Sequence, residues 1–198
     1  MRGTGTLATG AVALLVLAGC SGNEGDDPTV APEQTTAFTE IDTSFLEPYG
    51  LADSEPRDIV TELDQTNEDR EAGLAGSVRY DHVVFATEDG EQRIPLAEDE
   101  FYLSLAPYVD QTHECYYHNL SSCQGELVGE DLDVRITSDE GEVLVDETVT
   151  TYDNGFVGFW LPRDIEGTIE VEFDGRSVTA PIATGPEDPT CVTTLQLT

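Results

Sequence analysis

Leu132-Asp133-Val134-Arg135-Ile136-Thr137-Ser138, then Asp139-Glu140-Gly141, then residues 143–151, read as strand, turn and strand, because β-branched and apolar runs are separated by turn formers. The same grammar continues to the C-terminus. A turn at Asp153-Asn154-Gly155 leads to runs at 156–161 and 168–173, and Asp174-Gly175 leads to runs at 177–183 and 192–197. Short strands at such regular spacing predict an antiparallel sandwich or barrel. Phe156, Trp160 and Phe173 are expected in its core.

Upstream, residues 78–86, the turn Glu88-Asp89-Gly90 and residues 92–96 predict a hairpin, and 101–105 is a further apolar run. Residues 45–74 read as helical, either one helix or two broken near Asn67. Pro56 suits a first helical turn, and Ile59, Val60 and Leu63 fall on one side. The expected fold class is α+β: a short N-terminal helical and strand region (41–110), followed by an antiparallel β-sandwich-like C-terminal domain that carries a Cys/His loop (111–198).

The chain of 198 residues carries 41 Asp and Glu against 8 basic residues, all Arg, for a formal net charge of -33. Nucleic acid and anionic membrane surfaces are therefore excluded as partners. No stretch has the alternating oxygen ligands, central Gly and terminal Glu of an EF-hand loop. The acids are spread through nearly every segment, as on the solvated acidic surface of a protein from a salt-adapted organism.

Residues 1–19 hold one early Arg2 and the apolar run 11–18, with no acid, which is a secretory signal too short to span a bilayer. Leu17-Ala18-Gly19-Cys20 resembles the bacterial lipobox. Cleavage before Cys20, after a diacylglycerol thioether forms on its sulfur, would make Cys20 the lipid anchor; the alternative is ordinary secretion with Cys20 lost or idle. The mature chain then has 7 Arg against 41 acids, a net side-chain charge of -34. Residues 20–40, rich in Gly, Asp, Pro, Thr and Glu, read as a flexible tether. The expected location is the outer face of the cytoplasmic membrane, with the lipid as the only membrane contact.

Three cysteines remain, Cys115, Cys123 and Cys191. An odd set outside the cytosol means one disulfide with a further thiol, or a site that uses three sulfurs. Two of the three histidines, His113 and His118, flank Cys115 within Thr112-His113-Glu114-Cys115-Tyr116-Tyr117-His118-Asn119-Leu120-Ser121-Ser122-Cys123. On a straight helix Cys115 and Cys123 would stand about 12 Å apart, so joint action requires the segment to fold back. Cys191 follows the loop Pro186-Glu187-Asp188-Pro189-Thr190. Three thiolates with imidazoles nearby form a soft donor set suited to Cu(I) in trigonal sulfur coordination or to zinc in a Cys3His site. Three thiolates around Cu(I) carry about -2, which a Cys2His set with His113 or His118 would reduce.

Several blocks together resemble the CueP family of exported copper-binding proteins of bacterial copper resistance. They are residues 101–108 (FYLSLAPY), His113-Glu114-Cys115 through Cys123, residues 153–163 (DNGFVGFWLPR) and residues 188–196 (DPTCVTTLQ), with cysteine intervals of 8 and 68. The resemblance covers about 45–198. It implies that Cys115, Cys123 and Cys191 are the metal-binding thiols, with His113 and His118 as accessory ligands or groups behind them. It further implies a metallochaperone role: holding copper outside the cytoplasm and passing it to a client cuproenzyme. A homodimer is left open. The lipobox, the absence of Lys and the extreme acidity depart from the family's usual setting.

Two other classes stand beside this one. In a thiol–disulfide redox protein, one pair of cysteines cycles and the third resolves, or the thiols reduce Cu(II); no Cys-x-x-Cys or βαβ pattern favours a thioredoxin-like form. In a structural lipoprotein, a Cys115–Cys123 disulfide pins the loop with Cys191 buried and inert, or a Cys3His set holds a structural zinc ion. His82 reads as an ordinary surface or core histidine. Nucleophile elbows, phosphate-cradling loops and His-Glu-x-x-His are missing from the sequence, and no catalytic residue is assigned.

Overall fold

The computed structural model describes residues 42–65 and 74–198. The signal, Cys20, the tether and the expected break near Asn67 lie outside the described residues. The first described element is a 3-10 helix, Ser44–Tyr49, which ends where Gly50 takes a left-handed φ of 74°. Helix α1 (Pro56–Gln65) follows, with Pro56 supplying the preset φ of a first turn. Among the described residues, the helical region is interrupted at 50–55, where the left-handed Gly50 ends the first element and Pro56 begins the second.

Strands β1 (Ala75–Val78), β2 (His82–Thr87) and β3 (Gly90–Pro95) form an antiparallel sheet in that order. The single run expected at 78–86 is therefore divided. The chain reverses at 79–82, where the Arg79 N–H donates to the His82 carbonyl at 2.8 Å. His82 is half-buried on β2, with its Nδ1 2.6 Å from Asp81.

β4 (Glu100–Leu105) is buried on both faces. Side chains alternate across a strand, so Phe101, Leu103 and Leu105 face one way and Tyr102 and Ser104 the other. β4 pairs antiparallel with β7 (Val157–Pro162) and in parallel with the two-residue β10 (Cys191–Val192). A four-stranded antiparallel sheet, β6-β5-β8-β9, comprises β5 (Asp131–Ser138), β6 (Val143–Thr150), β8 (Glu166–Phe173) and β9 (Arg176–Ala183). Leu132, Val134, Ile136, Ile169 and Val171 of that sheet join Phe101, Leu103, Leu105, Phe159 and Leu161 in one core. This is the expected sandwich. The outward positions of β5, Asp131, Asp133 and Arg135, are exposed, so the acids occupy the solvated face.

The other face of β4 closes a second core. Tyr102 packs with Leu46, Ile59, Val60, Leu63, Val83 and Phe85, drawn from the helices and the first sheet. β4, which precedes residue 111, is thus the wall shared by the N-terminal region and the sandwich. Phe156 is fully buried, while Trp160 and Phe173 are only half-buried at the core margins. The strand expected at 192–197 shrinks to β10 and one bridge between Tyr108 and Gln196. Among the described residues, no helix is long and apolar enough to cross a membrane.

Candidate metal centre

The loop after β4 is pinned to the fold from several sides. The Glu126 carboxylate accepts the backbone N–H groups of Val109, Asp110 and Gln111. Further along, residues 118–120 lie against β1: the Val78 N–H donates to the His118 carbonyl, and the Leu120 N–H to the Gly76 carbonyl, each at 2.8 Å. The fold-back required for Cys115 and Cys123 to meet is made at Asn119. Its Oδ1 accepts the Ser121 N–H, the Ser121 hydroxyl and the Ser122 N–H, the local closure for which Asn is suited. The Cys123 N–H then donates to the Asn119 carbonyl at 3.2 Å.

The result brings Cys115 Sγ to 3.4 Å from Cys123 Sγ. Cys191 arrives on β10, where the register sets it opposite Ser104 and the Ser104 N–H donates to the Thr190 carbonyl. Thr190 is a buried staple, accepting the His118 N–H at 2.9 Å and donating to the Val78 carbonyl at 2.9 Å. Cys115 and Cys191 are joined as a disulfide, with Cα atoms 5.7 Å apart. The bridge therefore links two distant segments, and the Cys115–Cys123 staple weighed from sequence is not the pairing found. Spacing could not choose between these partners, because a cysteine 76 positions away is placed by the sheet rather than by its loop.

Donor atoms of His113, Cys115 and Cys123 lie within 4.8 Å of one another, and so do those of His118, Cys123 and Cys191. Cys123 belongs to both sets. The first set opens to solvent at His113; the second is buried throughout. The Asn119 N–H points at Cys123 Sγ at 3.4 Å. All five candidate ligands in the described residues thus fall in one neighbourhood, and its soft sulfur and imidazole donors fit a thiophilic ion rather than a hard cation.

Behind the sulfurs lies a residue that sequence reading missed. Asp64 on α1 is fully buried. Its carboxylate accepts the Tyr102 hydroxyl at 2.6 Å, the Ser104 hydroxyl at 3.0 Å and the Asn154 amide at 2.8 Å, and stands 2.7 Å from His118 Nε2. A buried carboxylate without such partners would be costly; here each lone pair is used. Burial pushes the Asp64 carboxyl up, but the adjacent His118 and the hydrogen bonds from His118, Tyr102 and Asn154 outweigh it and hold it below the usual carboxylate range. Burial likewise opposes a charged His118, yet Asp64 raises the imidazole to about 9. Burial and then the Asp64 charge push the Tyr102 hydroxyl well above 10. The only sequence signal was an Asp continuing the apolar stripe of Ile59, Val60 and Leu63.

Tyr102 reaches Asp64 because Gly158, on the neighbouring strand, leaves room. A Cβ there would lie 2.8 Å from Tyr102 Cε2 and overlap the hydroxyl. Glycine at this position is a packing requirement of the network.

The family model described as periplasmic copper-binding protein CueP matches residues 58–196. The crystal structure of S.CueP is similar at a TM-score of 0.75 and 38% identity, over 79% of this chain and 96% of that one. No curated protein matches. With more than half of its length covered by the family model, and with the same fold at that identity, the chain belongs to the CueP family of periplasmic copper-binding proteins.

Proposed function

We propose that this protein binds Cu(I) outside the cytoplasm through the thiolates of Cys115, Cys123 and Cys191, for copper resistance or for delivery to a client cuproenzyme. The observation that carries this reading is the convergence of three sulfurs from two segments, with Cys123 3.4 Å from Cys115 and sharing a donor set with Cys191. His113 stands at the solvent side of the cluster as an accessory ligand. The disulfide and the three-thiolate site are two states of the same sulfurs. Oxidation of the Cys115 and Cys191 thiols releases two electrons and two protons, enough to reduce two Cu(II) to Cu(I) as the S–S bond forms. Thiolate-rich coordination of Cu(I) follows from the softness of both partners. Lipidation at Cys20 would hold the domain at the membrane by its tether.

The test is an anaerobic Cu(I) titration of the reduced mature chain, with Cys20→Ser so that the anchor sulfur cannot compete, against a chromophoric chelator. Tight one-to-one binding that collapses in Cys191→Ser is expected. Binding indifferent to Cys191, or zinc held in preference to Cu(I) under the same competition, would overturn the reading in favour of a structural staple.

A further inference from the structure

His118 has two ring nitrogens and both are buried. Nε2 is held by Asp64 at 2.7 Å. Nδ1 has no hydrogen-bond partner, in a protein where the other polar side-chain atoms around Asp64 are paired. Buried imidazole nitrogens are rarely left so. The His118 donor nitrogen, Cys123 Sγ and Cys191 Sγ lie within 4.8 Å of one another, so the ring faces the sulfurs.

Asp64 also cannot turn away. Its second oxygen is tied by Tyr102 and Ser104 on β4, and its first is shared by His118 and Asn154. An ionised carboxylate only accepts, so when an ion displaces the second ring proton of His118 to solvent, Asp64 keeps the remaining proton on Nε2 and leaves the lone pair on Nδ1. A carboxylate behind a histidine in this way orients the ring and raises its basicity as a metal ligand.

We propose that Asp64 is a positioning residue of the metal centre: it locks His118 with Nε2–H toward its carboxylate, so that Nδ1 is the nitrogen ligand of an ion seated at Cys123 and Cys191. This rests on the Cu(I) reading above. His118 then adds a neutral donor on the buried side of the ion, which offsets none of the thiolate charge but adds no more.

The test uses the reduced mature chain carrying Cys20→Ser, its Asp64→Leu and Asp64→Asn variants, and Cu(I) as the probe. X-ray absorption of the Cu(I)-loaded parent is expected to show an imidazole nitrogen beside sulfur, retained in His113→Ala. Long-range 1H–15N NMR of the same sample should place the His118 proton on Nε2. Asp64→Leu removes the acceptor and should lose that nitrogen, with affinity falling 10- to 100-fold. Asp64→Asn can keep its carbonyl toward Nε2 and should retain the nitrogen, restoring most of the affinity. A merely structural Asp64 would not move the nitrogen signal. A sulfur-only shell in the parent, with binding intact and dependent on Cys191, overturns this inference alone; no Cu(I) binding by the parent overturns the copper reading with it. The parent spectra decide the matter even where Asp64→Leu fails to fold.

Discussion

Reducing the Cys115–Cys191 disulfide in the metal-free protein should cost a large share of its stability. The bridge spans 76 residues. In the chain-entropy model a closed loop of that length restricts the unfolded ensemble by about 4.5 kcal/mol at 25 °C. The bridge also clamps β10, whose sheet register is just two pairs long, Cys191 to Ser104 and Val192 to Leu105. With a urea slope of roughly 2 kcal/mol per molar, the midpoint should fall by about 2 M. The assay is urea unfolding followed by far-ultraviolet dichroism on the mature Cys20→Ser chain, oxidised and reduced. Alkylation before each run should count one reactive thiol in the denatured oxidised chain and three in the reduced. A midpoint that moves by less than about 0.5 M, with those thiol counts verified, would refute the reasoning, since it would mean that the unfolded chain gains little freedom when the bridge opens.

Two further outcomes follow from the buried network. His118, raised by Asp64 from 6.5 to about 9, binds a proton in the folded state that the unfolded chain has released between those values. The resulting stabilisation is complete below about pH 6.5 and is lost as pH rises through about 9, on the order of 3 kcal/mol; Asp64, held low, loses its own share only in acid. Urea midpoints of the metal-free oxidised protein, read against His118→Gln from pH 6 to 9.5, should converge as pH rises, and a constant difference would count against the buried ion pair. Gly158→Ala drives a methyl group into Tyr102 and should destabilise by about 1–3 kcal/mol while weakening Cu(I) affinity through the displaced Tyr102–Asp64 bond; a thermal midpoint equal to the parent's would show that the strands can part without cost.

Local chemistry was enough to read the strands of the sandwich, the helix start at Pro56 and the cysteine loop as a cluster of candidate donors. Each depends on neighbours in sequence: β-branched runs between turns, a preset φ, and His113, Cys115, His118 and Cys123 within eleven positions. The blocks around Phe101, Asn154 and Cys191 also carried the family resemblance that the match over 58–196 bears out. The extent of the last strand was misjudged because its pairing depends on β4, not on its own composition.

What only the tertiary structure decided is which groups meet. Asp64 looks like one more acid on an acidic helix until α1 is laid against β4, where Tyr102, Ser104, His118 and Asn154, 38 to 90 positions away, converge on it. Cys191 likewise finds Cys115 through the parallel pairing of β10 with β4. Sequence by itself determined most of the elements and the candidate donors, because propensity, turn chemistry and ligand softness belong to single residues and their neighbours. Their assembly was decided by burial on both faces of β4, since hydrophobic packing acts between segments whose separation along the chain leaves no local trace.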